Sequence, residues 1–261
     1  LLTMFGIQLI TIARDNIASR LDQVGAVTSL TYGWMIMQVP ETLLGTAIAT
    51  AMLPTLAEFA ARGDWSGFRS AIERALRVLI ALTIPVAAVL AAGIHPLVRL
   101  AFGFDAETST LITWTTRAYL LTLTGFSIQE IAARSFYARK EPMFPLYAVV
   151  LRLTIFLLIG IAGITFFRRM GAPVIAFAEI ALLVESIVLF SWLSKRLHEP
   201  LHIWSAVGKG VIAALLGGVT AYVLAVIVPG SAVLTALFGM VIGGLVALPF
   251  IWSEVKLLVK L

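Results

Sequence analysis

The chain has 261 residues, of which 60% are hydrophobic and only 13% are charged. Soluble domains are about half apolar and a quarter charged, so this composition excludes an ordinary soluble domain and indicates a polytopic helical membrane protein. The net charge of +5 does not indicate a nucleic-acid partner, because the basic residues form no patch with interleaved aromatic residues. Cysteine is absent and the three histidines are scattered, so we predict no disulfide, no metal site and no cofactor.

The apolar runs predict an all-α fold with about eight transmembrane helices. A helix that crosses the bilayer core, which is about 30 Å thick, needs about 20 apolar residues. The first run lacks both an initiator methionine and the pattern of a signal peptide, so we expect the chain to be the C-terminal part of a longer protein. Turn and charge signals delimit the expected spans, which are 1–21, 27–57, 68–93, 107–133, 144–167, 173–194, 203–228 and 232–258.

The second apolar run has an unusual centre. Pro40 lies in its middle, and Glu41 follows directly. An acidic side chain within a spanning helix costs free energy, so its presence indicates a structural or functional role. We interpret Pro40 and Glu41 as the mark of a bend in a helix that faces protein or water, since irregular helices are tolerated there and not against lipid.

The segment 64–77 has the pattern of an amphipathic helix that begins on the inner leaflet and leads into the third span. Asp64 or Ser66 can cap this helix, and Glu73 with Arg77 forms an i,i+4 pair. The last segment, 200–261, predicts a hairpin of two spans rich in glycine and alanine, and such small residues permit close packing of helices.

The charges of the loops predict a cytoplasmic C-terminus, because cytoplasmic loops of membrane proteins are enriched in lysine and arginine. The basic residues assigned to the opposite side are few: Arg20, Arg99, Arg168 and Arg169. Those assigned to the cytoplasmic side are Arg62, Arg69, Arg74, Arg77, Arg134, Arg139, Lys140, Lys195, Arg196, Lys209, Lys256 and Lys260.

Polar residues within the expected spans imply a polar interior. Intramembrane charge costs at least a few kcal/mol per group unless the charge is paired or hydrated. The set therefore predicts a water-filled cavity or an internal network of ion pairs, and the alternative is that the groups only hold helices in register. Its members are Arg14, Asp15, Asn16, Glu41, Arg117, Gln129, Glu130, Arg152, Glu179 and Glu185.

Partners within this set can be assigned from helix geometry. Adjacent residues on a helix point about 100° apart, so we expect Arg14 and Asp15 to be poor partners for one another. Arg152 is a candidate partner for Asp15 or for Glu179. The planar fork of an arginine such as Arg14 or Arg117 suits the oxygens of a phosphate or pyrophosphate group. No HExxH or GxSxG motif occurs, and the glycine-rich pieces lie in apolar spans, so we predict that the chain is not an enzyme.

Three stretches resemble the MurJ (MviN) family of lipid II flippases, within the MOP exporter superfamily. The run 32–58, with its Pro40, Gly45 and Pro54, is similar to that family's eighth helix. The stretch 102–105 (FGFD) resembles the loop before its tenth helix, and 136–141 (FYARKE) resembles the signature before its eleventh. The resemblance extends in order from about residue 8 to residue 150.

The resemblance implies that residues 1–198 form the second six-helix lobe of the flippase, helices 7–12, and that residues 199–261 form an extra hairpin, helices 13 and 14. It implies transport of the peptidoglycan precursor lipid II from the inner to the outer leaflet of the bacterial cytoplasmic membrane by alternating access. Its partners would be the lipid bilayer, the undecaprenyl-pyrophosphate-linked precursor and an N-terminal lobe of the same chain. Substrate binding would fall to Arg14, Arg117 and Glu41, and a charge network to Asp15, Asn16, Arg152 and Glu179.

Two departures from the family pattern qualify this interpretation. Met35 stands where the family usually carries an arginine implicated in holding the substrate's pyrophosphate. The fifth span carries Arg152 and no acid where some members contribute an acid to a sodium site, so we predict no such site. The alternatives are a polysaccharide-unit or drug exporter of the same superfamily, and a non-transporting membrane scaffold.

Overall fold

A computed structural model of the protein describes residues 2–197 and 200–260 and places them in helices joined by short turns. The expectation of an all-α fold is confirmed. A π-helix at Glu41–Thr46 and 3₁₀ turns at Arg168–Met170, Ala178–Ile180 and Lys256–Lys260 interrupt or extend the α-helices. The α-helices are α1 Leu2–Ala18, α2 Ala26–Pro40, α3 Ala47–Arg62, α4 Trp65–Phe102, α5 Ala106–Leu120, α6 Leu123–Ala138, α7 Met143–Phe166, α8 Ala172–Phe177, α9 Ala181–Arg196, α10 Trp204–Ile227 and α11 Ala232–Val255.

Six helical segments in the described residues are long and apolar enough to cross a membrane. They correspond to the second, third, fifth, sixth, seventh and eighth expected spans. The first expected span is a helix of only 17 residues, α1. The fourth is divided into α5 and α6 by a turn at Leu121–Thr122, where the hydroxyl group of Thr122 donates to the carbonyl of Tyr119 at 2.7 Å. A threonine hydroxyl that bonds to the preceding turn competes with regular helix geometry and favours such a break.

The irregular centre of the second span is a π-helix rather than a simple bend. Pro40 ends α2, and the six residues Glu41–Thr46 form the π-helix before α3 continues the same helix. Proline has no backbone N–H and its ring displaces the preceding carbonyl, so the regular i→i−4 ladder cannot pass through this point unchanged. Insertions of this kind are frequent at functional sites.

The central element is α4, a single helix of 38 residues. Asp64 caps its N-terminus by accepting a hydrogen bond from the backbone N–H of Gly67 at 2.8 Å, so Asp64, and not Ser66, takes the capping role. The expected Glu73–Arg77 pair is present at 4.0 Å. The buried face of α4 contributes Phe68, Leu76 and other apolar side chains to the largest apolar cluster of the described residues.

The C-terminal hairpin, α10 and α11, packs on itself and on α4. A side-chain carbon added to Gly217 of α10 would lie 2.6 Å from the backbone carbonyl oxygen of Gly243 in α11, so the two helices approach as closely as small residues allow. Glu254 is fully buried, and it accepts hydrogen bonds from Arg77 of α4 at 2.9 and 3.1 Å and from Lys209 of α10 at 2.6 Å. One carboxylate therefore joins three helices. The predicted boundary between lobe and hairpin, at 198 and 199, lies outside the described residues.

Candidate functional site: a buried charge cluster

Three charged side chains meet in the interior where α7 packs against α9 and the 3₁₀ turn that precedes it. Arg152 of α7 donates to Glu179 of the turn at 2.8 Å. A second guanidinium nitrogen of Arg152 lies 3.5 Å from a carboxylate oxygen of Glu185 in α9. The side chains of Arg152 and Glu179 are 4% exposed, and that of Glu185 is 0% exposed. The pairing of Arg152 with Glu179 agrees with one of the two partners that the sequence indicates.

An aromatic ring closes one side of this cluster. Phe126 of α6 presents the face of its ring to the Arg152 guanidinium, 5.3 Å from the ring centroid. A cation on an aromatic face is attracted by the ring quadrupole and is shielded from water at the same time. The ring of Trp34 in α2 packs edge-on against both Phe126 and the fully buried Tyr119 of α5, so the aromatic contacts extend to two further helices.

Arg14 lies near Tyr119, and its pairing differs from our expectation. The Nε atom of Arg14 donates to Asp15 at 2.9 Å, so the adjacent residues do pair with one another. The guanidinium stands at the end of a long, flexible side chain and can fold across the 100° that separates neighbouring positions. Asp15 is therefore engaged by Arg14, and among the described ion pairs it has none with Arg152. The Arg14 residue is 7% exposed and lies near the Tyr119 hydroxyl group, whereas the Asp15 side chain is 41% exposed.

Asn16 stands on the exposed side of α1, apart from the buried cluster. Its side-chain oxygen accepts a hydrogen bond from Arg20 at 3.0 Å, and both residues are exposed. The structure thus separates the four residues expected to form one charge network. Arg152 and Glu179 form the buried pair, and Asp15 and Asn16 lie towards the open edge of α1.

Arg117 occupies a different environment from Arg14. Two residues along a helix rotate by about 200°, so Arg117 points away from the side of α5 on which Tyr119 meets Arg14. Its Nε atom donates to the carbonyl of Ala91 at 2.8 Å, and its guanidinium lies 4.9 Å from the ring centroid of Trp114. The residue lines an apolar cavity of about 520 Å³ together with side chains from the segment 167–177. The two arginines therefore do not converge on one site.

Glu41 is held within the π-helix. Its carboxylate accepts hydrogen bonds from the hydroxyl groups of Thr46 at 2.8 Å and Thr42 at 3.3 Å. The residue is 9% exposed, and both members of the Glu130–Arg134 pair of α6 lie in its surroundings. Met35, six residues before Glu41, is 52% exposed on α2.

Sequence reasoning missed several members of these clusters. Glu185 is among the intramembrane acids noted from the sequence, but no pattern assigned it to Arg152. In the sequence, nothing distinguishes Tyr119 and Phe126 from ordinary aromatic residues of an apolar helix. Glu254 lies at the end of the last span, where a charged residue is ordinary, so the sequence did not single it out. Its partners Arg77 and Lys209 were noted only as basic residues of the predicted cytoplasmic side. No group of three or more potential metal-ligating side chains occurs within the described residues.

The chain is similar to proteins of known family along most of its length. The family model described as Lipid II flippase MurJ matches residues 1–242. The Lipid II flippase MurJ of Burkholderia cenocepacia is 32% identical over 209 residues, which cover 76% of this chain and 38% of that protein. The Probable lipid II flippase MurJ of Rhizobium meliloti is 30% identical over 222 residues, which cover 83% of this chain and 41% of that protein. This chain thus spans about two fifths of the length of these relatives.

Solved structures show the same architecture. Lipid II flippase MurJ in its inward closed conformation superimposes with a TM-score of 0.80 at 22% identity, over 95% of this chain and 51% of that one. A MATE protein carrying a P26A mutation superimposes with a TM-score of 0.65 at 13% identity, over 98% of this chain and 63% of that one. These likenesses identify the fold.

Proposed function

The chain belongs to the lipid II flippase MurJ family, and from this premise we propose that it forms the second six-helix lobe and the terminal hairpin of a lipid II flippase. The observation that carries the proposal is the family match over residues 1–242. The complete protein would move the undecaprenyl-pyrophosphate-linked precursor from the inner to the outer leaflet. Two lobes that rock about a central site would provide alternating access, as in other transporters built from repeated lobes.

The protein is a multi-pass bacterial membrane protein, and we place it in the cytoplasmic membrane with a cytoplasmic C-terminus. The contacts that the basic residues make with other side chains support this orientation. Arg196 donates to Glu141 at 2.6 Å, and the Arg139 guanidinium lies 4.7 Å from the ring centroid of Trp65, so residues assigned to the cytoplasmic side gather at one end. Arg168, assigned to the opposite side, pairs instead with Asp22.

We propose Arg14 as the first candidate for contact with the substrate's headgroup. Its neighbours Asp15 and Asn16 lie on the accessible edge of α1, so the guanidinium is close to an open polar surface. Arg117 is the second candidate, because its contacts with Ala91 and Trp114 engage only part of the guanidinium fork. Glu41 would accept hydrogen bonds from hydroxyl or amide groups of the headgroup.

Complementation tests the role of Arg14. Arg14→Ala in the full-length protein should abolish rescue of a flippase-depleted bacterium, while Arg20→Ala, in the exposed turn that follows the same helix, should rescue normally. Immunoblotting of membranes establishes equal expression, and native mass spectrometry of the purified variants with lipid II reports headgroup binding. Full rescue by Arg14→Ala would remove Arg14 from the mechanism.

The wild-type protein tests the function itself. If it binds lipid II in preference to other polyprenyl-linked glycans and sustains growth, the flippase assignment stands. Preference for another glycan would indicate an exporter of the same superfamily. Failure of both binding and rescue would favour a membrane scaffold. The observation that suggests this alternative is the exposed Met35, which stands in place of the family's arginine.

A further inference from the structure

The buried cluster contains more negative than positive charge. Arg152 contributes +1, while Glu179 and Glu185 contribute −1 each if both are ionised, which leaves a net charge of −1. All three side chains are excluded from water. An uncompensated charge in such a site is strongly unfavourable, so the cluster needs one further positive charge or one proton.

The two carboxyl groups do not share the arginine equally. Glu179 accepts a hydrogen bond from Arg152 at 2.8 Å, the length of a charge-assisted bond. Glu185 lies 3.5 Å from the guanidinium, and neither of its buried carboxyl oxygens has a hydrogen-bond partner among the described residues. A buried carboxylate without hydrogen bonds loses its hydration and gains little in return. Glu185 is therefore the carboxyl group that is poorly stabilised as an anion.

The other helices packed against α9 supply no compensating charge. From α6, Glu130 adds negative and not positive charge in the surroundings of Glu185. Glu130 itself is paired with Arg134 at 2.8 Å, so that arginine is already engaged. From α7 and from the 3₁₀ turn, the charged neighbours of Glu185 are Arg152 and Glu179. Among the described ion pairs, Arg152 is the one basic partner of Glu185.

We propose that Glu185 is a proton-binding site, protonated at neutral pH, so that Arg152 and Glu179 form a neutral pair beside an uncharged acid. When the proton leaves, the two carboxylates compete for Arg152, and the contact that ties the turn Ala178–Ile180 to α7 weakens. Binding of a proton would thus set how firmly α7 is joined to α9. The inference rests on the interior of this lobe and does not depend on the identity of the substrate.

Infrared difference spectroscopy tests the proposal directly. The full-length protein in lipid bilayers should show the carbonyl stretching band of a protonated, buried carboxylic acid at neutral pH, and this band should diminish as the pH is raised. Glu185→Gln should remove the band. The matched control is Glu58→Gln, which should retain it, because Glu58 is exposed and lies in a separate pair with Arg62. A wild-type protein without the band, or a Glu185→Gln variant that retains it, would overturn the proposal.

A second variant keeps the test decisive if Glu185→Gln does not fold. Glu179→Gln removes the stronger partner of Arg152, so Glu185 should ionise to take its place and the band should disappear. Persistence of the band at full intensity in Glu179→Gln would refute the competition for one arginine. Where Glu185→Gln does fold, its thermal stability should match that of the wild type at neutral pH, since glutamine resembles a protonated glutamate. A large loss of stability would show that the native group is an anion.

Discussion

Replacing Glu254 by glutamine is expected to loosen the C-terminal hairpin from α4. Glu254 is the fully buried acceptor at which Arg77 of α4 and Lys209 of α10 meet, and its own helix is α11. Glutamine has nearly the same shape but carries no charge, and it offers one acceptor oxygen in place of two. The substitution therefore removes the ionic contact without opening a cavity.

The size of the effect follows from the three hydrogen bonds that Glu254 accepts. Hydrogen bonds to charged groups contribute about 1.5–3 kcal/mol each. The side chains of Arg77 and Lys209 are 29% and 35% exposed, so both cations regain water when the carboxylate is lost. We therefore expect a loss of about 2–3 kcal/mol, below the ~3–5 kcal/mol typical of breaking a completely buried ion pair.

Hydrogen–deuterium exchange can measure this loss where it occurs. Backbone amides near Lys209 and Glu254 should open about 30- to 150-fold more readily in the variant, since each 1.36 kcal/mol corresponds to a factor of ten. The control is Glu58→Gln, which breaks an exposed i,i+4 pair with Arg62 and should cost less than about 0.5 kcal/mol. Equal protection of the hairpin in both variants would refute the reasoning.

Two further substitutions test packing and the π-helix. Gly217→Ala should destabilise the hairpin by about 1–3 kcal/mol in a thermal unfolding assay, because the new carbon meets the backbone of α11. The control is Gly244→Ala, whose new carbon meets open space, and it should be neutral or slightly stabilising in the same assay. Thr46→Val should cost about 1–3 kcal/mol by removing a hydrogen bond to the buried Glu41, whereas Thr50→Val, on the exposed side of α3, should unfold at the wild-type temperature.

The Arg152–Glu179 pair shows how far sequence reasoning reaches into the site. An arginine and a glutamate within separate apolar spans must find partners, because isolated charges in a membrane interior are too costly. This requirement predicts that pairs exist, and it narrows the choice for Arg152 to a few acids. It does not predict that Glu185 shares the same arginine, because that depends on how α9 packs beside the 3₁₀ turn at Ala178–Ile180.

The expectation that Arg14 and Asp15 would be poor partners was wrong for a related reason. Angular positions on a helix describe where a side chain begins, and a side chain as long as arginine ends elsewhere. Arg117, which is also a candidate phosphate ligand in the sequence, shows a different limit, because the sequence does not say which helices each face of α5 contacts. The rotation of about 200° between Arg117 and Tyr119 separates the two arginines once the neighbours of α5 are known.

The sequence by itself determined the class of protein, the expected positions of the spans and the family, because length, hydrophobicity and local motifs are properties of continuous segments. Pro40 and Glu41 likewise mark the irregular helix without reference to any other part of the chain. Only the tertiary structure decided which charges meet. Arg152 with two glutamates, and Glu254 with Arg77 and Lys209, are contacts between residues far apart in the chain. The free energies of these contacts depend on burial and distance. Both are set by the packing of the helices, so no single segment of the sequence determines them.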